Sequence, residues 1–301
     1  MSVSNPLTFP KSASSYSVRI RWFVENCCEI RLSNGKTIVI DPCLPEPGEK
    51  MDQMGFGCGY TVDDLEACDY VLINHVHGDH VWSIKKVIDR FDPKILVNGF
   101  SALQLAKVYE IENIFKIFPL QYDNEYDFGD FRLKTYRAQH IDITPMGLKP
   151  PFPGWDDEAL LGKMGSLFNM NYLIIGPNNF RIAFDGGFYD KYLNDWHEAA
   201  PNLLIRHIDN PLMHGYDGAI RNMADSLERS GAQYMLLNCV QSAYRDDTGK
   251  DPKASLYVDL YDYTSRINRL LEERGSVSRV FNFKMGHWYT LSLGIEGDPE
   301  A

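Results

Sequence analysis

The chain has 301 residues, 44% of them apolar and 24% charged, the balance of an ordinary globular protein with ample material for a core. Its formal net charge is −11 and its densest basic cluster is only Lys85, Lys86 and Arg90. This excludes a protein that tracks a nucleic-acid backbone, which needs a basic stripe; a small substrate, including an anionic one, stays compatible. No apolar run approaches the ~20 residues that span a bilayer.

In chain order, residues 1–17 form a polar tail with Pro6 and Pro10. The tail lacks the basic-then-apolar pattern of a secretion signal, so the expectation is a cytoplasmic protein with one domain over 18–301. Period-two patterns over 18–24, 28–32 and 37–40 predict antiparallel strands, with Ser33-Asn34-Gly35 as a hairpin turn. An irregular stretch follows over 43–60. The apolar run Tyr70-Val71-Leu72-Ile73 then leads into His75-Val76-His77-Gly78-Asp79-His80. Strands are predicted at 95–97, 114–118 and 131–136, and a helix at 101–109 with Ser101 as its N-cap.

The second half repeats the theme. Strands at 172–175 and 181–184 flank the turn Gly176-Pro177-Asn178-Asn179. Further strands at 203–205, 234–237 and 279–283 are separated by helices near 190–199, 217–230 and 255–274. Two sheets, each fed by helices, predict an α/β protein with a four-layer αββα sandwich. Irregular stretches at 43–60, 146–170 and 241–253 each follow a strand that ends at a candidate site, so they are expected to overhang one rim as lids. Within the middle one, residues 149–155 read as a stiff aromatic pocket wall. The six cysteines form no C-x-x-C pair and read as reduced thiols.

The chain has eight histidines, and His75, His77 and His80 fall in one short window with Asp79 between them. Imidazole and carboxylate are the usual ligands of zinc and related cations. Alternate strand residues share a face, so His75 and His77 can point one way. Asp79 and His80, past the turn at Gly78, can aim at a second point nearby, which is a two-metal layout.

The His-x-His-x-Asp-His window after a strand resembles the signature of the metallo-β-lactamase superfamily. Further stations match in order. Residues 37–42 resemble the early strand whose Asp41 supports the metal loop, and residues 67–74 resemble the lead-in, with Asn74 where the family usually has Thr. Ala138-Gln139-His140 resembles the third-histidine station, and residues 181–187 resemble the strand whose Asp185 bridges two metals. The resemblance covers residues 18–291 and is greatest for the branch of L-ascorbate-6-phosphate lactonase and N-acylphosphatidylethanolamine phospholipase D.

The resemblance implies two divalent metal ions, zinc first, with manganese or iron as alternatives. One ion would take His75, His77 and His140; the other would take Asp79 and His80, with Asp185 bridging. A metal-bound hydroxide would then be the nucleophile. Asp79 would orient it, and His214 would serve as proton donor or oxyanion stabiliser, a helix-capping or surface role being the equal alternative. His207 is a weaker candidate of the same kind, and His197 reads as a packing residue.

One station departs from the family: after the strand at 234–237 the chain has Asn238-Cys239 and no histidine. Cys239, Asn238 or His287 could fill that position. His287 is favoured, because an imidazole preserves the charge of the site and Gly286 permits close approach. The expected function is a metal-dependent hydrolase of a small ester-like substrate, a lactone or a phosphodiester. The alternatives are an iron-dependent redox enzyme on the same fold and a degenerate member that binds a metabolite without catalysis.

Overall fold

The structure, a computed structural model, describes residues 17–23, 26–140, 156–186, 193–209, 211–239 and 259–292. The aromatic segment 149–155 and the stretch 241–253 lie outside the described residues, as do residues 1–16 of the tail.

The first sheet is built from both ends of the chain. β1 (Ser17–Trp22), β2 (Cys28–Arg31) and β3 (Thr37–Ile40) run antiparallel, turning between β2 and β3 at Gly35, whose φ of 85° suits glycine. β4 (Tyr70–Leu72), β5 (Lys94–Asn98) and β6 (Ile117–Leu120) then add in parallel. α1 (Gly78–Val81) and α2 (Ile84–Phe91) link β4 to β5, and α3 (Gly99–Val108) links β5 to β6. The last described strand, β14 (Trp288–Ser292), returns to pair with β1.

The second sheet has the same plan. β7 (Glu125–Asp127), β8 (Arg132–Ala138), β9 (Asn169–Ile175) and β10 (Arg181–Asp185) are antiparallel. β11 (Leu203–His207), β12 (Tyr234–Asn238) and β13 (Arg279–Phe281) continue in parallel. Along the chain its strands are connected through α4 (Asp157–Leu167), which packs on α3, and through α5 (Leu193–Ala199), α6 (Pro211–His214), α7 (Tyr216–Ser230) and α8 (Leu260–Glu273).

The period of two distributes the first sheet between two cores. Ile38, Ile40, Leu72 and Leu96 pack toward Tyr172 and Phe184 of the second sheet. Their neighbours Val39, Val71, Ile73, Ile95 and Val97 pack on Val87 of α2 and Leu105 of α3. Two sheets flanked by helices are the sandwich expected from the sequence.

Several boundaries differ for local reasons. α3 is capped by Asn98, whose side chain accepts from Phe100 N at 2.9 Å, while Ser101 is buried inside the first turn. The strand expected from 114 starts at Ile117, because Asn113 caps a 3-10 turn first. The irregular stretch 146–170 holds α4, capped by Asp156 accepting from Ala159 N at 2.8 Å. Among the described residues no helix is long and apolar enough to cross a membrane.

Candidate metal centre

Asp41 ends β3 in a left-handed conformation, φ 45°, and is fully buried. One carboxylate oxygen accepts the Asn74 N–H at 2.7 Å and the other accepts from His80 Nδ1 at 2.8 Å. A single side chain thus fixes both ends of the loop that follows β4. Between them, Asn74 orients the first histidine: its Oδ1 lies 2.7 Å from His75 Nδ1, and its Nδ2 donates to Met170 O. Because Nδ2 is the donor to a carbonyl, Oδ1 is the acceptor, and His75 carries its proton on Nδ1. Gly186, just past β10, is required here: a Cβ on it would stand 2.5 Å from Asn74 Oδ1.

His77 precedes α1 in an extended conformation and packs on α4. Its Nε2 lies 2.9 Å from Gly162 O and 3.2 Å from Ser166 Oγ. A carbonyl only accepts, so the His77 proton sits on Nε2 and Nδ1 carries the lone pair. His75 Nε2 and His77 Nδ1 then face each other at 3.1 Å, lone pair to lone pair. His140, two residues beyond β8, closes the group, its ring centroid 4.9 Å from that of His75 and 4.6 Å from that of His77. The interplanar angles of the three ring pairs are 75–81°.

These three residues bring their ligand atoms within 4.8 Å of one another, and among the described residues they are the cluster that does so. Tetrahedral zinc–imidazole bonds would place ligand nitrogens about 3.3 Å apart. The donor set fits a cation, which would satisfy both facing lone pairs at once. Burial holds His75 well below the usual imidazole range, helped by His80, His77 and His140. Burial likewise brings His77 down to about 4, against the pull of Asp79. Both rings are therefore neutral near pH 7, the form that binds metal.

The other expected ligands stand outside this cluster, His80 directly beside it with its ring centroid 3.7 Å from that of His75. His80, 2% exposed, donates to Asp41, and its Nε2 accepts from Asn26 Nδ2 at 3.0 Å. Burial opposes protonation of His80, but Asp41 and Asp79 outweigh it and raise the pKa. Asp79 lies at the rim, one oxygen 3.6 Å from His80 Nε2 and its side chain 26% exposed. Asp185 is buried and bound to the Arg206 guanidinium, to Asn171 Nδ2 at 3.0 Å and to Trp196 Nε1 at 3.3 Å.

His287 is exposed in the turn before β14. β12 and β13 are parallel neighbours. However, the chain leaves the second sheet after Phe281 and reaches His287 only on the way to the first. Asn238 accepts from Trp22 Nε1 at 3.0 Å, and Cys239 follows in a left-handed conformation, φ 56°. His214 is half exposed on α6, its Nε2 3.8 Å from Asp209. His197 is exposed on α5 and packs against Gly231.

His207 is more central than its sequence suggested: it is 3% exposed, and its ring lies 5.7 Å from that of His80. Asn26 and Arg206 were not anticipated. Asn26 lies in a connection without periodicity and left no signal. Arg206, a charge directly after the apolar run Leu203-Leu204-Ile205 on the same strand, signalled that a buried partner was needed.

A family model described as the Beta-lactamase superfamily domain matches residues 19–223, more than half of the chain and including the whole three-histidine group. The chain belongs to the β-lactamase superfamily. Two curated relatives are both described as UPF0173 metal-dependent hydrolases. The one from Thermodesulfovibrio yellowstonii is 32% identical over 69 residues, 23% of this chain and 24% of that protein. The one from Christiangramia forsetii is 24% identical over 137 residues, 46% of this chain and 55% of that protein. The chain thus spans about a quarter and about half of these relatives' lengths.

Solved structures share the superfamily fold. A metallo hydrolase from the archaeon Ignicoccus hospitalis aligns with TM-score 0.61 and 13% identity, over 92% of this chain and all of that one. An isothiocyanate hydrolase from Delia radicum gut bacteria gives TM-score 0.59 and 16% identity, over 91% and 99%. A diiron β-hydroxylase from Streptomyces venezuelae gives 0.54 and 14%, over 92% of this chain and 54% of that one.

Proposed function

We propose that the chain is a metal-dependent hydrolase that binds zinc at His75, His77 and His140 and cleaves a small ester-like substrate, a lactone or a phosphodiester. The observation that carries this reading is the pair of lone pairs on His75 Nε2 and His77 Nδ1, facing at 3.1 Å while each ring's other nitrogen is committed to a fixed acceptor. When bound, the ion supplies Lewis acidity and lowers the pKa of a water. Superfamily membership supports the hydrolase class, and the −11 net charge favours a small substrate over a polyanion.

The chain's own residues do the rest. Asn74 and Gly162 fix the tautomers of His75 and His77, so that both offer a lone pair to the same point. Asp41 holds the loop's two ends against strain. Asp79, at the exposed rim beside His80, has in this reading the role of accepting a proton from an attacking water, which its 26% exposure supports. The test is zinc-loaded protein assayed on a panel of lactones, phosphodiesters and thioesters. We expect turnover on a lactone or phosphodiester, reduced about 10²–10⁴-fold in Asp79→Ala with zinc content unchanged. Failure of the parent to take up any metal sinks the reading, and near-normal turnover in Asp79→Ala removes Asp79 from it.

A further inference from the structure

The family resemblance places a final histidine just after the strand that is β12 here, and the chain has Asn238-Cys239 there instead. β12 pairs in parallel with β11, and the register sets His207 directly beside Asn238. Register partners on adjacent strands project from the same face of a sheet. The Asn238 side chain meets Trp22 of β1, so that face is the one turned toward the first sheet, and His207 shares it. A histidine absent from the end of one strand is thus present at the end of the next.

His207 is 3% exposed and held in place by its surroundings. The Phe184 ring meets it edge-on with centroids 5.9 Å apart, and its ring is hydrogen-bonded to the Gly186 backbone. Burial, with His80 and His140 adding to it, holds its pKa well below the usual imidazole range, so the ring is neutral near pH 7. Its centroid lies 5.7 Å from that of His80. The ring pairs of the three-histidine group stand 4.6–4.9 Å apart, so the spacing is of the same order.

Asp79 completes a set of two imidazoles and a carboxylate, a donor combination that suits zinc and iron alike. One of its oxygens lies 3.6 Å from His80 Nε2, and its side chain is 26% exposed, with room to rotate. Asp41 holds His80 through Nδ1, which directs Nε2 toward ligation. The Asn26 amide now donates to that nitrogen at 3.0 Å, but it also reaches Asp79 O at 3.2 Å and keeps this acceptor when a cation displaces it. The set is looser than the three-histidine group, the one cluster among the described residues whose ligand atoms all lie within 4.8 Å of one another.

We infer that His207 supplies the ligand missing after β12, so that Asp79, His80 and His207 would hold a second cation. Cys239 is the competing donor and is only half-buried, whereas buried His207 preserves the donor type and the neutral charge of the missing residue. The inference rests on the three-histidine reading above, and its test separates the two.

The protein is saturated with Zn2+, desalted and its zinc counted by mass spectrometry. The parent and Cys239→Ser should hold about two equivalents and His207→Gln about one. A second measurement reads the ligands in the parent itself, so it decides the matter even where a substitution prevents folding. The parent is labelled with a magnetic nitrogen isotope in its histidines and loaded with magnetic Cd2+, and nuclear magnetic resonance identifies the imidazole rings coupled to cadmium. Five of the eight histidines should couple, namely His75, His77, His80, His140 and His207, and His287→Ala should leave all five. Four or fewer coupled rings overturn the inference, as does loss of one in His287→Ala; a cadmium resonance shifted into the thiolate range would then give the place to Cys239. One equivalent held by His75, His77 and His140 alone overturns this inference and leaves the hydrolase reading standing. No bound metal in the parent sinks both.

Discussion

Replacing Arg206 with Met tests the buried ion pair that joins β10 to β11. Methionine roughly fills the volume of the arginine stem but leaves the Asp185 carboxylate, 1% exposed, without its guanidinium. Asn171 Nδ2 at 3.0 Å and Trp196 Nε1 at 3.3 Å remain as neutral donors, and they soften the loss without cancelling the charge. Breaking one side of a buried pair costs about 3–5 kcal/mol. At roughly 2 °C per kcal/mol for a chain of this size, the midpoint of thermal unfolding should fall by roughly 6–10 °C. The double variant Arg206→Met with Asp185→Asn removes both charges and should recover more than half of that loss, because the desolvation penalty disappears with the charges. The assay is calorimetric unfolding of the parent, both single variants and the double variant at one pH and salt. A loss under about 1 kcal/mol in Arg206→Met would refute the reasoning, as would additive losses in the double variant.

Gly165→Ala should weaken zinc binding without unfolding the chain, because its Cβ would stand 2.3 Å from His77 Cδ2 and 2.9 Å from Nε2. A drop of about tenfold or more in affinity, measured by chelator competition, is expected, in line with other disruptions of groups that orient a ligand; unchanged affinity would show that α4 does not hold His77 in place. The metal-free protein should lose stability as pH falls from about 6.5 toward 4. Unfolded histidines take up protons across that window, whereas burial keeps folded His77 neutral down to about 4 and holds His75 and His207 well below their ordinary range. Each such ring contributes up to about 1.4 kcal/mol per pH unit, opposed by His80, whose pKa is raised. Urea titrations at pH 7 and 5 measure the difference, and equal stability would contradict the assigned burial of these rings.

The sequence by itself determined what depends on neighbouring residues. Alternation predicted most strands, and the 75–80 window displayed its candidate ligands because they lie within one strand end and one turn, where local geometry suffices. The Asp41 station was legible for the same reason: a strand ending in a buried acid must direct it at the adjacent loop, and it bonds Asn74 and His80. The short edge strands β7 and β14 escaped notice, because five residues or fewer, half exposed, carry little periodic signal.

Only the tertiary structure decided which candidates meet. Asp185 ends its strand as the sequence predicted, but the β10–β11 register and the packing of α5 set which partners reach it, and they delivered Arg206 and Trp196. His287 depended on where the chain leaves the second sheet, a long-range event in which β14 pairs with β1 at the opposite end of the sequence. His207 reached His80 for the same kind of reason, through strands that neither residue's neighbours specify. Side-chain type and local spacing are written residue by residue, whereas convergence depends on the pairing and packing of segments far apart in the chain. That convergence brought the ligand atoms of His75, His77 and His140 together and made an ion pair of Asp185.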